Sequence, residues 1–582
     1  MILNKLFPFL AWRSLMSRET VQADFVAGIT VALVLIPQSM AYAQLAGLPP
    51  VYGLYAALLP GLVGVLWGSS YHLGTGPVAM TSLLTMTTLI PFGIGDLNFV
   101  GSQRYIEMAI LLAFIVGVVR LVVGLFKLTF LVNFLSQPVV RGFINAGALI
   151  IASSQIGKIF GVKMHRSDVY LADIWSLLIR IPSEIHPPTL IIGCASLAVL
   201  WALKKYAPKI PSALVVVTLG SLSVWYFNLA DPRMISADFS GIIEPGQRFV
   251  AVIGIIPAGL PAFQAPAFDL AMILKLLPGA FTVMFIGFME VTSVIKAIAP
   301  KSKQKVDLDQ ELIGQGLSAI AGSFSGCYPT SGSFSRTALN YSSGGKTGLS
   351  GIFVALFVLL ALLFLTPFLV FLPDAVLAAV IIMAVVGLVD FKVFAQAWRV
   401  HHYDGISAIV TFSASLLFAP DIVNGIVIGG LLALALHLFR TMNPRIQIQS
   451  CCDPQENDSV RPNQSVRFPA MRFDGRIYFA NTLHFENGIL SILDTYPNAE
   501  KIVILAEGID GIDASGNLIL IELLETLRGM GKDMIFVGVR PQVKEIFLRA
   551  HLWDLVGDKN FYADSISLKA ALELENEAVK PK

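Results

Sequence analysis

Charge is what this chain has little of. Of 582 residues only 14% are Asp, Glu, Lys or Arg, against about 25% in an ordinary soluble domain, and 55% are hydrophobic. That balance excludes a soluble globular protein and points to a polytopic membrane protein. The net charge of +2 comes without any basic run, so nothing suggests a nucleic-acid partner. Cysteine is scarce as well. Cys194, Cys327, Cys451 and Cys452 show neither metal-like spacing nor a disulfide framework, so no metal or other cofactor is expected. The histidines are scattered, His401 and His402 read as decoration of an inner loop, and there is no nucleotide loop or nucleophile–base spacing. An enzyme is not expected. The first 24 residues carry Lys5, Arg13 and Arg18 but no small-residue cleavage site, and they read as a cytoplasmic lead-in instead of a removed signal peptide.

What the chain has is apolar runs. Runs long enough to span begin at about 25, 50, 106, 134, 188, 212, 271, 309, 350, 374, 403 and 421. Two shorter ones begin near Val78 and Phe334. Together they make fourteen elements, seven on each side of the polar segment at 229–268. In each half the third element is the short one, preceded by Leu73-Gly-Thr-Gly-Pro77 or Pro329-Thr-Ser-Gly-Ser333. Short, glycine-interrupted segments at matching positions mark a transporter site between repeats. Seven elements per half, an odd number, make the two repeats (about 25–228 and 270–445) inverted. With both termini inside, the inner loops hold Lys127, Lys204, Lys205, Lys209, Lys301, Lys303, Lys305, Lys392, Arg399, Arg440 and Arg445, roughly twice the basic residues outside. Residues 446–466 read as a polar linker, with glycosylation-type triplets at Asn457 and Asn463 that a cytoplasmic segment would not use. From 467 to 576 strands and helices alternate, which suggests a small sheet covered by helices on one side.

Four stretches carry chemistry. Around Gly332-Ser333-Phe334-Ser335-Arg336, Ser335 reads as close to the start of a half-helix whose free N–H groups face an anion, with Arg336 as a permanent cation. Around Gly74-Thr-Gly-Pro77-Val78-Ala79, Pro77 at the first helical position signals a second such start. In the first span Pro37 should kink the helix, while Gln38 and Tyr42, four apart, share a face and offer uncharged hydrogen bonds. The fourth stretch centres on Glu290, an acid inside an apolar run that should face a cavity. Loss of water favours its neutral form and a nearby Arg336 its charged form. It is read either as a proton carrier or as the counter-ion of Arg336. At 307–316, Asp309 reads as an N-cap.

These motifs resemble the sulfate permease (SulP) family. The resemblance rests on Pro37-Gln-Ser-Met-Ala-Tyr42, Leu48-Pro-Pro-Val-Tyr-Gly-Leu-Tyr55, Glu290, Glu311-Leu-Ile-Gly-Gln-Gly316 and Ser331-Gly-Ser-Phe-Ser-Arg-Thr-Ala-Leu-Asn340. The C-terminal part resembles a STAS domain, with Asp513-Ala-Ser-Gly516 at its strand-to-helix turn. The resemblance implies a core domain (segments 1–4 and 8–11) moving against a gate domain (segments 5–7 and 12–14) in an elevator-like cycle within a homodimer in the cell membrane. It also implies substrate contacts at Gln38, Tyr42, Val78, Ala79, Phe334, Ser335 and Arg336, coupling at Glu290, and a regulatory serine at Ser515, although Ala514 replaces the first serine of the usual motif. Sulfate is the first substrate implied, with symport of H+ or Na+, and a cytoplasmic partner for the STAS part. Bicarbonate or dicarboxylate transport, anion exchange, and a channel or sensor on the same scaffold stay open. An uninterrupted STAS part and a short N-terminal tail fit a bacterial-type member, which would sit in the inner membrane.

Overall fold

The computed structural model describes residues 7–93, 99–130, 136–164, 169–207, 210–230, 249–254, 259–419, 421–450 and 468–578. Cys451, Cys452, Asn457 and Asn463 lie outside them. The chain divides into two compact units, Met1–Ala433 and Leu434–Lys582.

All fourteen expected segments are present. Segments 1 to 7 are Arg18–Leu45, Val51–Trp67, Ala79–Leu89, Gln103–Leu125, Gln137–Ser154 with its extension Ile156–Phe160, Pro187–Tyr206 and Ser212–Tyr226. Segments 8 to 14 are Leu270–Ser302, Leu308–Ser323, Phe334–Ser342, Leu349–Leu360, Asp374–Val386, His402–Leu417 and Val423–Met442. Segment 11 is carried on to Phe371 by a π turn and a 3-10 turn, where Pro367 interrupts the regular ladder. Among the described residues, seven helices, some counted with such extensions, are long and apolar enough to cross a membrane. The fourteen segments form two inverted seven-segment repeats.

Segment 1 starts earlier than expected, because Ser17 caps it by accepting from the Thr20 N–H. It then runs as one helix through Pro37. Segment 9 is capped by Asp307, not Asp309. The Asp307 carboxylate accepts from the N–H groups of Asp309 and Gln310, and Asp309 instead accepts from the Thr129 hydroxyl at 2.6 Å. Among the described residues of the membrane unit, two α-helices lie outside the fourteen, Tyr170–Glu184 and Lys392–Val400. Their charged residues kept them below the hydropathy of a span.

The segments pack in two groups. Segment 9 lies against segments 4 and 2, segment 11 against 1 and 2, and segment 8 against 4. Separately, segment 13 lies against 5, and segment 12 against 5 and 6. Segments 7 and 12 also touch segment 1. Without a hydrophobic drive between helices in lipid, close backbone approach at small residues is what holds such a bundle. Gly117 in segment 4 and Gly316 in segment 9 show it, since a Cβ on Gly117 would come within 2.8 Å of the Ile320 backbone nitrogen and 2.9 Å of the Gly316 carbonyl. Gly117→Ala should therefore cost about 1–3 kcal/mol and lower the melting temperature of the purified protein. Gly529→Ala, with open space around it, should not.

The second unit is an α/β domain. After two short strands of the membrane unit (β1, Gly74–Gly76, and β2, Ser331–Ser333), its strands are β3 (Arg445–Ser450), β4 (Pro469–Ile477), β5 (Lys501–Leu505), β6 (Ile509–Ile512), β7 (Asp533–Val537) and β8 (Phe561–Tyr562). They lie in the order β3-β4-β5-β7-β8, with β6 beside β4. Two expectations need correction here. The linker expected from 446 begins as strand β3, antiparallel to β4, in keeping with the alternation Arg445-Ile-Gln-Ile-Gln-Ser450. And helices cover both faces of the sheet. The helices Thr482–Thr495, Ala514–Gly529 and Pro541–Arg549 build the larger core with Phe473, Ile504 and Phe536. Leu568 of the helix Ser565–Ala578 packs on Ala470, Val503 and Ile535 of the other face.

Candidate anion site

Two three-residue strands organise the membrane unit. Strand β1, Gly74–Gly76, pairs antiparallel with β2, Ser331–Ser333, in the register Gly74 to Ser333 and Gly76 to Ser331. Each strand leads into a half-helix: β1 through Pro77 and the cap Val78 into segment 3, β2 through the cap Ser333 into segment 10. With 11 and nine residues, these helices are only about 14–17 Å long, about half a bilayer core. Their first turns carry N–H groups with no partner inside the helix.

Pro77 is not the first helical residue. It stands one place before the cap, which leaves its carbonyl free to accept from Arg336 Nη1 at 2.8 Å. Arg336 Nη2 donates to the Gly74 carbonyl at 3.3 Å. The guanidinium of the second repeat is therefore anchored on the backbone of the first. Arg336 is 1% exposed, and its Nε has no partner. Thr337 completes the junction, its hydroxyl donating to the Ser333 carbonyl at 2.6 Å and accepting from the Gly74 N–H at 3.0 Å. Glycine is required at 74, where a Cβ would stand 2.9 Å from that of Arg336.

The remaining expected residues fall as follows. Val78 and Ala79 form the buried start of segment 3. Phe334, 56% exposed, and the exposed Ser335 form the start of segment 10. Gln38 is buried with Oε1 unpartnered. Tyr42 is buried within reach of the charges of Arg336 and Glu290. Glu290 Oε2 is enclosed and unpartnered, and among the described residues Glu290 forms no ion pair, with Arg336 or any other cation. Glu290 and Arg336, for which a counter-ion role is one of the two readings, are thus not directly paired; the Arg336 guanidinium is held by two carbonyls. Ser515 stands half-buried in the first turn of Ala514–Gly529, where Asp513 accepts from the Gly516 N–H at 2.8 Å and from the Phe479 N–H at 3.0 Å.

One residue was missed. Arg120, inside the apolar segment 4, is 1% exposed and donates to the Thr330 carbonyl at 2.8 Å. The rule that singled out Glu290, that an intramembrane charge marks function, applies to Arg120 equally. A separate cavity of about 500 Å³, lined by Gln44, Lys158, Lys163, Asp173 and Asp374 among others, lies where segments 1, 3, 5 and 12 meet. There Gln44 donates to Asp374 and accepts from Lys158, both at 2.8 Å. No group of His, Cys, Asp and Glu that could hold a metal occurs among the described residues.

Comparisons with known proteins agree with this architecture. Residues 21–411 match the sulfate permease family and residues 460–566 the STAS domain. The probable sulfate transporter 4.2 of Arabidopsis thaliana is 33% identical over 96% of this chain and 82% of its own length. The sodium-independent sulfate anion transporter of Bos taurus is 31% identical over 94% of this chain and 89% of its own. The murine Solute Carrier 26 family member A9 anion transporter, solved in the inward-facing state, superposes with a TM-score of 0.86 at 21% identity, covering 99% of this chain and 95% of that one. The transmembrane domain of the cyanobacterial bicarbonate transporter BicA superposes with a TM-score of 0.57 at 20% identity over 72% of this chain and 98% of that one. By sequence and by fold, this chain belongs to the sulfate permease family of membrane anion transporters and carries a C-terminal STAS domain.

Proposed function

We propose that the chain is a secondary active transporter of sulfate, binding the anion between the starts of segments 3 and 10. What supports this reading above all is the β1–β2 pair, which sets two half-helix N-termini from opposite repeats beside one buried cation. Helix starts favour negative charge, and a guanidinium has five N–H donors, of which two are taken by Pro77 and Gly74. Val78, Ala79, Phe334, Ser335 and Arg336 hold the anion, with Gln38 and Tyr42 completing its polar contacts.

Sulfate is favoured because relatives covering nearly the whole chain are named for it. The bovine relative is named as sodium-independent, which favours H+ over Na+ as the coupling ion, carried at Glu290. The grouping of segments 1–4 with 8–11 and of 5–7 with 12–14, which meet where segments 7 and 12 touch segment 1, suits an elevator-type movement of the first group against the second. In that movement the Gln44 bonds to Asp374 and Lys158 break and re-form. We place the protein as a homodimer in the cell membrane with both termini cytoplasmic and the STAS domain available to a cytoplasmic partner. A phosphoryl group on Ser515 would sit at a helix start that favours it, opposed by the Asp513 carboxylate.

Uptake of radiolabelled sulfate into proteoliposomes, at varied pH and sodium, tests the reading. Saturable uptake driven by an outside-acid gradient and indifferent to sodium is expected, with bicarbonate, oxalate, chloride and C4-dicarboxylates competing weakly. Uptake of one of those anions in place of sulfate would overturn the substrate assignment. Removal of residues from 467 onward should leave sulfate binding intact, because every anion contact proposed lies before 340. Calorimetric titration of the folded truncation checks this, and loss of binding would show that both parts build the site.

A further inference from the structure

We infer that Arg120 is the positioning residue through which Glu290 is coupled to the anion site. The inference rests on the reading of Glu290 as the proton carrier. Among the described residues Arg120 and Arg336 are the two fully buried arginines, yet they are held differently. Arg120 spends one N–H on the Thr330 carbonyl at 2.8 Å, while its Nε and Nη2 have no partner. Nη2 lies against Gly287 of segment 8, since a Cβ there would come within 2.7 Å of it. Glu290 follows three residues later on the same face of that helix, and its enclosed Oε2 is also unpartnered.

A buried cation and a half-buried glutamate with one enclosed oxygen, each incompletely satisfied, thus confront each other without forming an ion pair. A neutral Glu290 tolerates this arrangement. An ionised one is drawn to the free side of the guanidinium, because an unpaired charge away from water is costly. Among the described residues, the charged groups that reach Glu290 are Arg120 from segment 4 and Arg336 from segment 10. The phenol of Tyr42 in segment 1 faces the same place.

Arg120 is also tied to the anion side. Thr330, which it holds, immediately precedes β2, and Ser331 Oγ donates to the Gly287 carbonyl at 2.9 Å. Movement of Arg120 toward Glu290 therefore pulls on the strand that ends at the half-helix bearing Arg336. Loss of the Glu290 proton and the geometry of the anion site are linked through one side chain.

Sulfate uptake by the full chain in proteoliposomes, measured across pH, tests this together with Glu290→Gln, Arg120→Gln and Arg120→Lys. Wild type should show acid-stimulated uptake and Glu290→Gln a flat profile. In Arg120→Gln the pH of half-maximal uptake should rise by about one unit or more, since an adjacent cation favours the carboxylate by that order. The acid plateau should be kept, and Arg120→Lys should restore the wild-type midpoint. Acid stimulation surviving in Glu290→Gln would overturn the reading of Glu290 itself. A flat Glu290→Gln with an unmoved midpoint in Arg120→Gln would overturn only the role of Arg120. If Arg120→Gln does not fold, Gly287→Ala serves instead. Its methyl presses on Nη2 and leaves the charge in place, and a rise in midpoint is again expected, an unmoved midpoint again being contrary.

Discussion

Purified Arg336→Ala protein should bind sulfate at least about thirtyfold more weakly than wild type, because truncating one partner of a buried, hydrogen-bonded charge contact costs roughly 2–5 kcal/mol. The loss has two sources. The cation that faces the anion disappears, and the carbonyls of Gly74 and Pro77 lose the donors that hold them. An acceptor left buried without a partner costs about 1–3 kcal/mol, so the β1–β2 junction should loosen and the melting temperature fall. Arg336→Lys separates the two effects. A lysine keeps the charge but lacks the planar fork that reaches two carbonyls at once. It should retain part of the affinity and leave the junction less well held. Near-normal affinity in folded Arg336→Ala protein would remove the anion from this site.

Glu290→Gln should show a different pattern: sulfate binding and exchange kept, gradient-driven accumulation lost. Glutamine mimics the protonated acid in shape and charge. A bound dianion partly neutralises Arg336 and repels the carboxylate, so protonation becomes easier as the site fills and anion and proton enter together. Binding to wild type should strengthen as pH falls, and binding to Glu290→Gln should not respond. If Glu290 were only a structural partner of the cations, the glutamine protein would lose binding and wild-type uptake would ignore an imposed pH gradient. Flux assays on both proteins in matched liposomes, with and without that gradient, distinguish the two.

Much of this was legible in the sequence because lipid imposes simple rules. A long apolar run has to be a helix, and the two short ones betrayed themselves through Gly74, Gly76 and Pro77 and through Ser331 and Ser333, residues poor at continuing a helix. The exact tie between the halves was not legible. Arg336 donates to a carbonyl 259 residues away, and only the register of β1 on β2 decides which carbonyl that is. The same register made Pro77 an acceptor outside the helix where the sequence suggested a first helical residue. Arg120 escaped notice because its neighbours are uniformly apolar and a single cation barely changes the hydropathy of segment 4. In the C-terminal unit, the six residues of β3 showed the alternation of a strand but stood next to polar sequence that suggested a linker. The second helical layer is anchored by Leu568, and the helical spacing of Leu568, Ala571 and Leu572 does not reveal which face of the sheet that helix covers.

The central claim is that the anion sits where the two half-helices begin. Selenate, a sulfate analogue with a strong anomalous signal, can be diffused into crystals of the full chain and located directly. The expected anomalous peak lies between Val78–Ala79 and Phe334–Ser335, within hydrogen-bonding reach of Arg336, and is absent from Arg336→Ala crystals. A peak beside Lys158 and Lys163 in the separate cavity, with none at the β1–β2 junction, would contradict it.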